Sequence, residues 1–297
     1  MKTLKHTAAL LTLAFCMQAA PAQQPLPRQP TDGIPVTKLS PLRLAANAQE
    51  IERQAGMQYT QMMQQARQQE ALAPPDHPQV QRLRAIARRI IPHVARWNPQ
   101  ALEWNWQVNL LGSDQVNAFC MPGGRIAFFS GILTKLNLTD DEVAMVMGHE
   151  IAHALREHAS KRAGTSQVAS IVGRLASLGL SAYFGVDPRI TDAGTGAVAQ
   201  LALLKFSRGE ETEADLVGMD LAARAGYDPR AGIALWQKMG ASNARRPIEF
   251  ISTHPSGESR IAEMNKNMPL VLPVYARSRG IPANALPPYR TTPLPKS

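Results

Sequence analysis

Cysteine is scarce in this chain of 297 residues: only Cys16 and Cys120 occur. If Cys16 leaves with a leader, no intramolecular disulfide is possible even in an oxidising compartment. Long apolar runs are missing too. Beyond the first residues no window of roughly 18 is uninterruptedly apolar, so no transmembrane helix is expected in the mature chain. Nor is there a dense Lys/Arg run with interleaved aromatics, which argues against nucleic acid as a partner. What is present is 44% hydrophobic residues, enough for a proper core, and a formal charge of +9. Without Lys2 and Lys5 the balance of 32 basic to 23 acidic residues becomes 30 to 23, or +7, which suits solubility near anionic membrane surfaces.

The beginning has the anatomy of a signal peptide over residues 1–22: a basic start, an apolar run from Ala8 to Ala20, and Ala20-Pro21-Ala22 as a small-residue cleavage site. Export to the periplasm is expected, with the mature chain starting at Gln23. Lipidation at Cys16 is disfavoured, because Phe15 before it is not small. Residues 23–43 hold five prolines among Gln and Thr and read as an unstructured linker. A helix is expected from Leu44 to about Leu72, and a second from Pro78 to Trp97 with Arg82, Arg84, Arg88 and Arg89 on a solvated face. Trp104, Trp106, Val108 and Leu110 alternate with polar residues, the pattern of a half-buried strand. Val116 to Met121 and Arg125 to Phe129 flank Pro122-Gly123-Gly124 and read as a hairpin. That hairpin either completes the core or offers an edge to which an extended peptide can add.

The chemistry is concentrated in His149-Glu150-Ile151-Ala152-His153. Thr139 and Glu142 form a capping box, and Val143, Val146, Met147, Ile151, Ala154 and Leu155 follow at helical spacing. Residues four apart share a face of a helix, so His149 and His153 can offer two imidazole nitrogens to one metal ion. Glu150 can then reach a water there without itself being a ligand. The third ligand has to come from elsewhere, since the longer three-histidine pattern is not continued after His153. Glu211 and Asp215, also four apart in a helical stretch, can divide the tasks of ligating and of holding a ligand histidine, or they belong to an acidic surface helix. Two helices are expected over 164–206, the apolar cluster from Ile171 to Phe184 serving as core by default, or else as a plug over the active site or a surface for a membrane or partner. Nothing in the sequence assigns Cys120 a role.

Several blocks together resemble a known family: Asn117-Ala118-Phe119 with Pro122-Gly123-Gly124, Gly148 to His153, Ser207-Arg208 with Glu211 and Ala214-Asp215, Ala225 to Pro229, and Thr253-His254-Pro255 with Arg260-Ile261. Over about residues 80–268 the chain resembles the gluzincin metallopeptidases of family M48, in particular the BepA, LoiP and Oma-type branch. The resemblance implies a zincin-like domain over 44–268, α+β and mostly helical, with a small sheet and the motif on its active-site helix. A Pro-rich tail over 269–297 follows, wrapping the surface or disordered.

The resemblance also implies one Zn2+ per chain held by His149, His153 and Glu211, with Glu150 as general base and Asp215 orienting a ligand histidine. Asn117 and Ala118 would lie on the strand that aligns substrate. His254 would be an oxyanion donor or a removable fourth ligand, on a loop because Pro255 disfavours helical conformation before it. His158 has no counterpart and reads as a solvent-facing helix residue. The implied function is zinc-dependent endopeptidase action on exported envelope proteins that are damaged or misassembled. Partners would be protein or peptide substrates and outer-membrane assembly machinery. The alternative is a chaperone-like assembly factor whose metal site is largely latent.

Overall fold

The computed structural model describes residues 32–41, 48–161, 206–245, 247–254 and 257–295. The leader, the helices expected over 164–205 and the apolar cluster 171–184 lie outside the described residues. The fold is α+β and mostly helical, with a three-stranded sheet in the order β1-β3-β2. β2 (Ala118–Met121) and β3 (Arg125–Phe129) form the expected antiparallel hairpin, and β1 (Gln107–Leu111) adds to β3 in parallel. The turn between β2 and β3 needs φ of +81° and +82° at Gly123 and Gly124, a region that side chains avoid.

The period-two side chains of the sheet face two clusters. Helix α1 (Ala48–Gln68) lays Ala55, Tyr59, Met62 and Met63 against Phe119, Met121, Ala127 and Phe129. On the opposite face, Ala118, Ile126 and Phe128 join the main core with α2 (Pro78–Ile90) and the motif helix. α2 is shorter than expected because Pro92 cannot continue the α-helical hydrogen bonding, and the chain passes into a 3-10 turn over Ile91–Arg96. Of its arginines, Arg88 and Arg89 are exposed as expected, whereas Arg82 and Arg84 are half-buried, Arg82 donating to Asp140 and Leu138 and Arg84 to the Val108 carbonyl. The expected strand loses its first half likewise, since Pro99 opens a 3-10 turn over Pro99–Glu103 and pairing begins only at Gln107.

After the short α3 (Ser130–Lys135) comes α4 (Asp140–Leu155), the motif helix, which starts with the expected capping box between Thr139 and Glu142. Every residue from Glu142 to Leu155 is buried, so the helix runs through the core and is not amphipathic at its surface. α5 (Arg208–Arg224) packs along it, begun by a second capping box between Ser207 and Glu210. The two helices touch backbone to backbone where Gly148 faces Gly218. α6 (Ala231–Arg245), α7 (Glu249–Thr253) and α8 (Glu258–Arg279) complete the domain.

Two expected boundaries shift. The tail expected from residue 269 begins as helix, since α8 continues through Pro269 and Pro273 to Arg279. Both prolines are exposed, while Met264, Met268, Val271 and Val274 form a buried stripe whose packing holds the helix together. The rest of the tail wraps the domain, with Tyr289 bonded to Thr139 and Thr292 to Lys238. At the other end, residues 32–38 form no helix or strand and Pro35 to Lys38 are exposed, but hydrogen bonds tie the segment to the domain. Ile34 is buried and donates its N–H to Asp220 at 3.1 Å, and Arg96 donates to the carbonyls of Asp32 and Ile34 at 2.9 Å.

Candidate metal centre

α4 carries His149 and His153 at buried positions one turn apart, their Nε2 atoms separated by 3.1 Å. α5 brings Glu211 between them, with Oε2 at 3.5 Å from His149 Nε2 and Oε1 at 3.5 Å from His153 Nε2. His254, the residue that caps the C-terminus of α7, places Nδ1 at 3.2 Å from His149 Nε2 and 3.1 Å from Glu211 Oε1. All four ligand atoms lie within 4.8 Å of one another. Tetrahedral zinc with bonds near 2.0–2.1 Å has donor–donor edges of about 3.3–3.4 Å, so three imidazoles and a carboxylate at these separations fit that ion in both geometry and donor type.

The electrostatics favour ligation at His153 and Glu211, whereas at His149 burial is outweighed by Asp215 and Glu211, which raise its pKa. Burial above all, with repulsion from His149 and Arg260 adding to it, holds the His153 imidazole well below its usual range, which keeps it neutral and able to ligate. Burial opposes ionisation of Glu211, but the hydrogen bond from His254 and the nearby cationic groups outweigh it and lower its pKa. Burial raises Glu150, the residue proposed to move a proton. Its Oε1 is buried without a hydrogen-bond partner among the described residues and stands 3.6 Å from His254 Nε2, an arrangement that costs stability unless a water or substrate group meets it there.

Behind these groups Asp215 accepts from His149 Nδ1 at 3.0 Å, as the sequence reading anticipated for one of the two acids. Arg260, to which that reading gave no role, donates twice to Asp215 at 2.6 Å and once to Glu211 at 2.6 Å, while its guanidinium stacks over Trp236 at 3.7 Å. No periodic signal marks Arg260, because it comes from a distant helix and only the fold brings it in. Phe250 stacks on His254 with centroids 4.4 Å apart, and Phe206 on His153 at 3.7 Å.

His158 contradicts its sequence reading: it is buried, not solvent-facing. Glu157 adopts a positive φ of 52°, so the chain turns back after α4 and His158 meets His153 and Glu213. Glu213 is therefore no bystander on an acidic surface.

β2 is the terminal strand of the sheet and runs beside the centre; Phe119, Cys120 and Met121 line a cavity of about 40 Å3 together with Trp104, Ala154 and His153. Asn117 and Ala118 are buried at its start. The Ala118 N–H is already taken by the Asn117 side chain at 3.0 Å, and Val116 is bonded to Glu249 and Phe250 of α7.

Residues 77–268 match the sequence profile described as Peptidase family M48. Among curated proteins, the chain is 37% identical over 158 residues to "Mitochondrial metalloendopeptidase OMA1" of Arabidopsis thaliana, covering 52% of this chain and 30% of that one. It is 30% identical over 227 residues to the protein of that name from Saccharomyces cerevisiae, covering 71% and 62%. The "Beta-barrel assembly-enhancing protease" of Escherichia coli is 26% identical over 203 residues, covering 67% and 40%. The chain thus spans less than two thirds of the length of each of these relatives.

Proposed function

This chain belongs to peptidase family M48, and from that premise we propose that it is a zinc-dependent endopeptidase whose centre is His149, His153 and Glu211, with Glu150 as general base. The observation that carries the reading is the buried set of four donors at zinc-like separations, with an unpartnered carboxylate oxygen beside it. When bound, zinc supplies Lewis acidity, making water more acidic and polarising a carbonyl. Glu150 Oε1 takes the proton of the attacking water and delivers it to the leaving amine nitrogen. Asp215, gripped by Arg260, fixes the tautomer of His149 so that Nε2 is free to ligate. The β2 edge aligns the substrate as an added strand. Because Asn117 already caps the Ala118 N–H, that residue must turn aside for a peptide to pair there.

In our reading His254 is a removable fourth ligand. It supplies a fourth protein donor where catalytic zinc sites keep a position open. Its other nitrogen faces Glu150, so one displacement frees both the coordination position and the base. The mature chain, processed after residue 22, works in the periplasm. No helix among the described residues is long and apolar enough to cross a membrane. The substrates of this chain are envelope proteins that misfold or fail to assemble, a reading supported so far as assembly goes by the name of the Escherichia coli relative, a β-barrel assembly-enhancing protease.

The test is digestion of an unfolded protein such as casein by the zinc-loaded chain and by His254→Ala, each with and without a chelator. Chelator-sensitive cleavage that rises in His254→Ala supports the reading. A fall of about 10²–10³-fold would make His254 an oxyanion donor instead. Suppression of aggregation with no cleavage by either protein would replace the protease with a chaperone-like factor.

A further inference from the structure

We propose that His158 is a positioning residue for the metal centre: it holds His153 in the tautomer whose Nε2 is free for the ion and ties that ligand, through Glu213 and Arg156, to Thr37 and Lys38 of the N-terminal segment. The inference rests on His153 being a zinc ligand, as argued above.

The two ligand histidines of α4 need the same thing, a fixed ring with a bare Nε2, and receive it differently. His149 Nδ1 meets a carboxylate directly, Asp215 at 3.0 Å, and that carboxylate is held by Arg260. His153 Nδ1 has no carboxylate against it among the described contacts; it meets the Nδ1 of His158 at 2.9 Å. His158 in turn places Nε2 at 3.1 Å from Glu213 Oε2. Glu213 Oε1 accepts from Arg156 Nε at 2.8 Å and from the Thr37 hydroxyl at 3.0 Å. Arg156 Nη2 then reaches the carbonyls of Thr37 and Lys38 at 3.1 and 3.2 Å. His153, His158 and Arg156 are all buried, so water does not compete freely for these bonds.

The protons along this row are set by valence. A carboxylate only accepts, so His158 must carry a hydrogen on Nε2 to bond Glu213. A neutral His158 then has a bare Nδ1, which can only accept, and the shared hydrogen between the two Nδ1 atoms belongs to His153. That leaves His153 Nε2 without a hydrogen, facing His149 Nε2 and Glu211. Placing the hydrogen on His158 Nδ1 instead forces it onto Nε2 of His153, where it blocks ligation. The row therefore has one assignment compatible with a metal at His153, and Glu213 is its anchor.

The chain is shaped to make this contact. α4 ends at Leu155, and Glu157 takes up a left-handed conformation that non-glycine residues rarely adopt. The reversal brings His158 back over the last turn, its ring edge-on to His153 with centroids 5.0 Å apart. A regular helix would carry position 158 away from His153, because residues five apart do not share a face.

The experiment measures zinc affinity by chelator competition in the parent chain, His158→Asn, His158→Leu and His153→Ala, with circular dichroism to confirm folding. It adds 15N NMR of the histidine-labelled, zinc-loaded parent, whose ring shifts report which nitrogen carries hydrogen. We expect His158→Leu, which cannot accept, to bind zinc about 10–100-fold more weakly. His158→Asn, whose carboxamide oxygen can accept in place of Nδ1, should recover most of that loss, and the spectrum should show His158 protonated on Nε2 and His153 on Nδ1. A folded His158→Leu that binds zinc as tightly as the parent, or a spectrum with the hydrogen on His158 Nδ1, overturns the proposal. If His158→Leu does not fold, the parent spectrum decides alone. Full zinc binding by His153→Ala would instead overturn the ligand assignment beneath it.

Discussion

Replacing Gly218 by alanine tests how closely the metal centre depends on the contact between α4 and α5. A Cβ at Gly218 would lie 2.8 Å from the His149 nitrogen, 3.0 Å from the Gly148 carbonyl carbon and 3.2 Å from the His149 Cα. These are rigid backbone atoms of the helix that carries the histidines, so they cannot turn aside as a side-chain tip could. Reaching an ordinary contact near 3.4 Å or beyond requires the helices to part by about 0.6 Å or more, whereas a metal site tolerates roughly ±0.2 Å in its bonds. Glu211 is seven residues before Gly218 on the same face of α5, so the shift reaches it. Overpacking costs about 1–3 kcal/mol and the gain in helix propensity from Gly to Ala returns up to about 1 kcal/mol, so a modest net destabilisation is expected. Zinc affinity should fall about 10–100-fold, as it does when a ligand's orientation is disturbed. Gly209 on the same helix is the control, since nothing lies within 4 Å of its added Cβ. Gly209→Ala should keep parental zinc affinity and be equal or slightly more stable. Chelator competition and thermal melts on both variants decide; if Gly218→Ala matches Gly209→Ala in each, the argument from helix contact is wrong.

Asp215→Asn should weaken zinc binding or turnover by roughly 10–100-fold, because it keeps the shape but loses the charge that Arg260 and His149 share; parental affinity and turnover would return Asp215 to the role of an ordinary buried acid. Glu210 and Glu213 have folded pKa values of about 2 against an ordinary 4.5: burial opposes the shift, while Ser207 and Lys161 in one case and His158 and Arg156 in the other outweigh it. The folded chain therefore binds fewer protons there than the unfolded one, and their stabilisation is complete above about pH 4.5 and lost as pH falls toward 2. Melting temperatures of the zinc-free protein should decline across that window, and Glu213→Gln should flatten part of the decline; an equally steep profile in that variant would contradict the assignment.

Much of the centre was legible because its parts are local. The capping box at Thr139, the helical spacing of His149 and His153, and the pairing of Glu211 with Asp215 all follow from residues within a few turns. The hairpin was legible because Gly123 and Gly124 mark a turn only glycine accommodates easily. What escaped depends on residues far apart in sequence or on a local conformation without a propensity. Arg260 reaches Asp215 across 45 positions, and the parallel pairing of β1 with β3 leaves no local trace. His158 was misread because helical periodicity was carried past Glu157, where the backbone departs from it. Pro269 and Pro273 suggest a tail that wraps the surface or is disordered, but on the exposed side of α8 they leave its buried stripe intact, and the wrapped part starts only after Arg279. The segment 32–38 was assigned to a linker from its prolines, but Ile34 and the bonds to Asp220 and Arg96 hold it in place.

The central claim is that one zinc ion sits on His149, His153 and Glu211 while Glu150 moves the proton and does not ligate. The direct measurement is zinc per chain, by plasma emission after exhaustive dialysis, on the parent, Glu150→Gln and Glu211→Ala, each paired with digestion of an unfolded protein. The account predicts about one zinc in the parent and in Glu150→Gln, a loss of about 10²–10⁴-fold in cleavage by Glu150→Gln, and loss of both metal and cleavage in Glu211→Ala. Full cleavage by Glu150→Gln, or a full complement of zinc in Glu211→Ala, would contradict it.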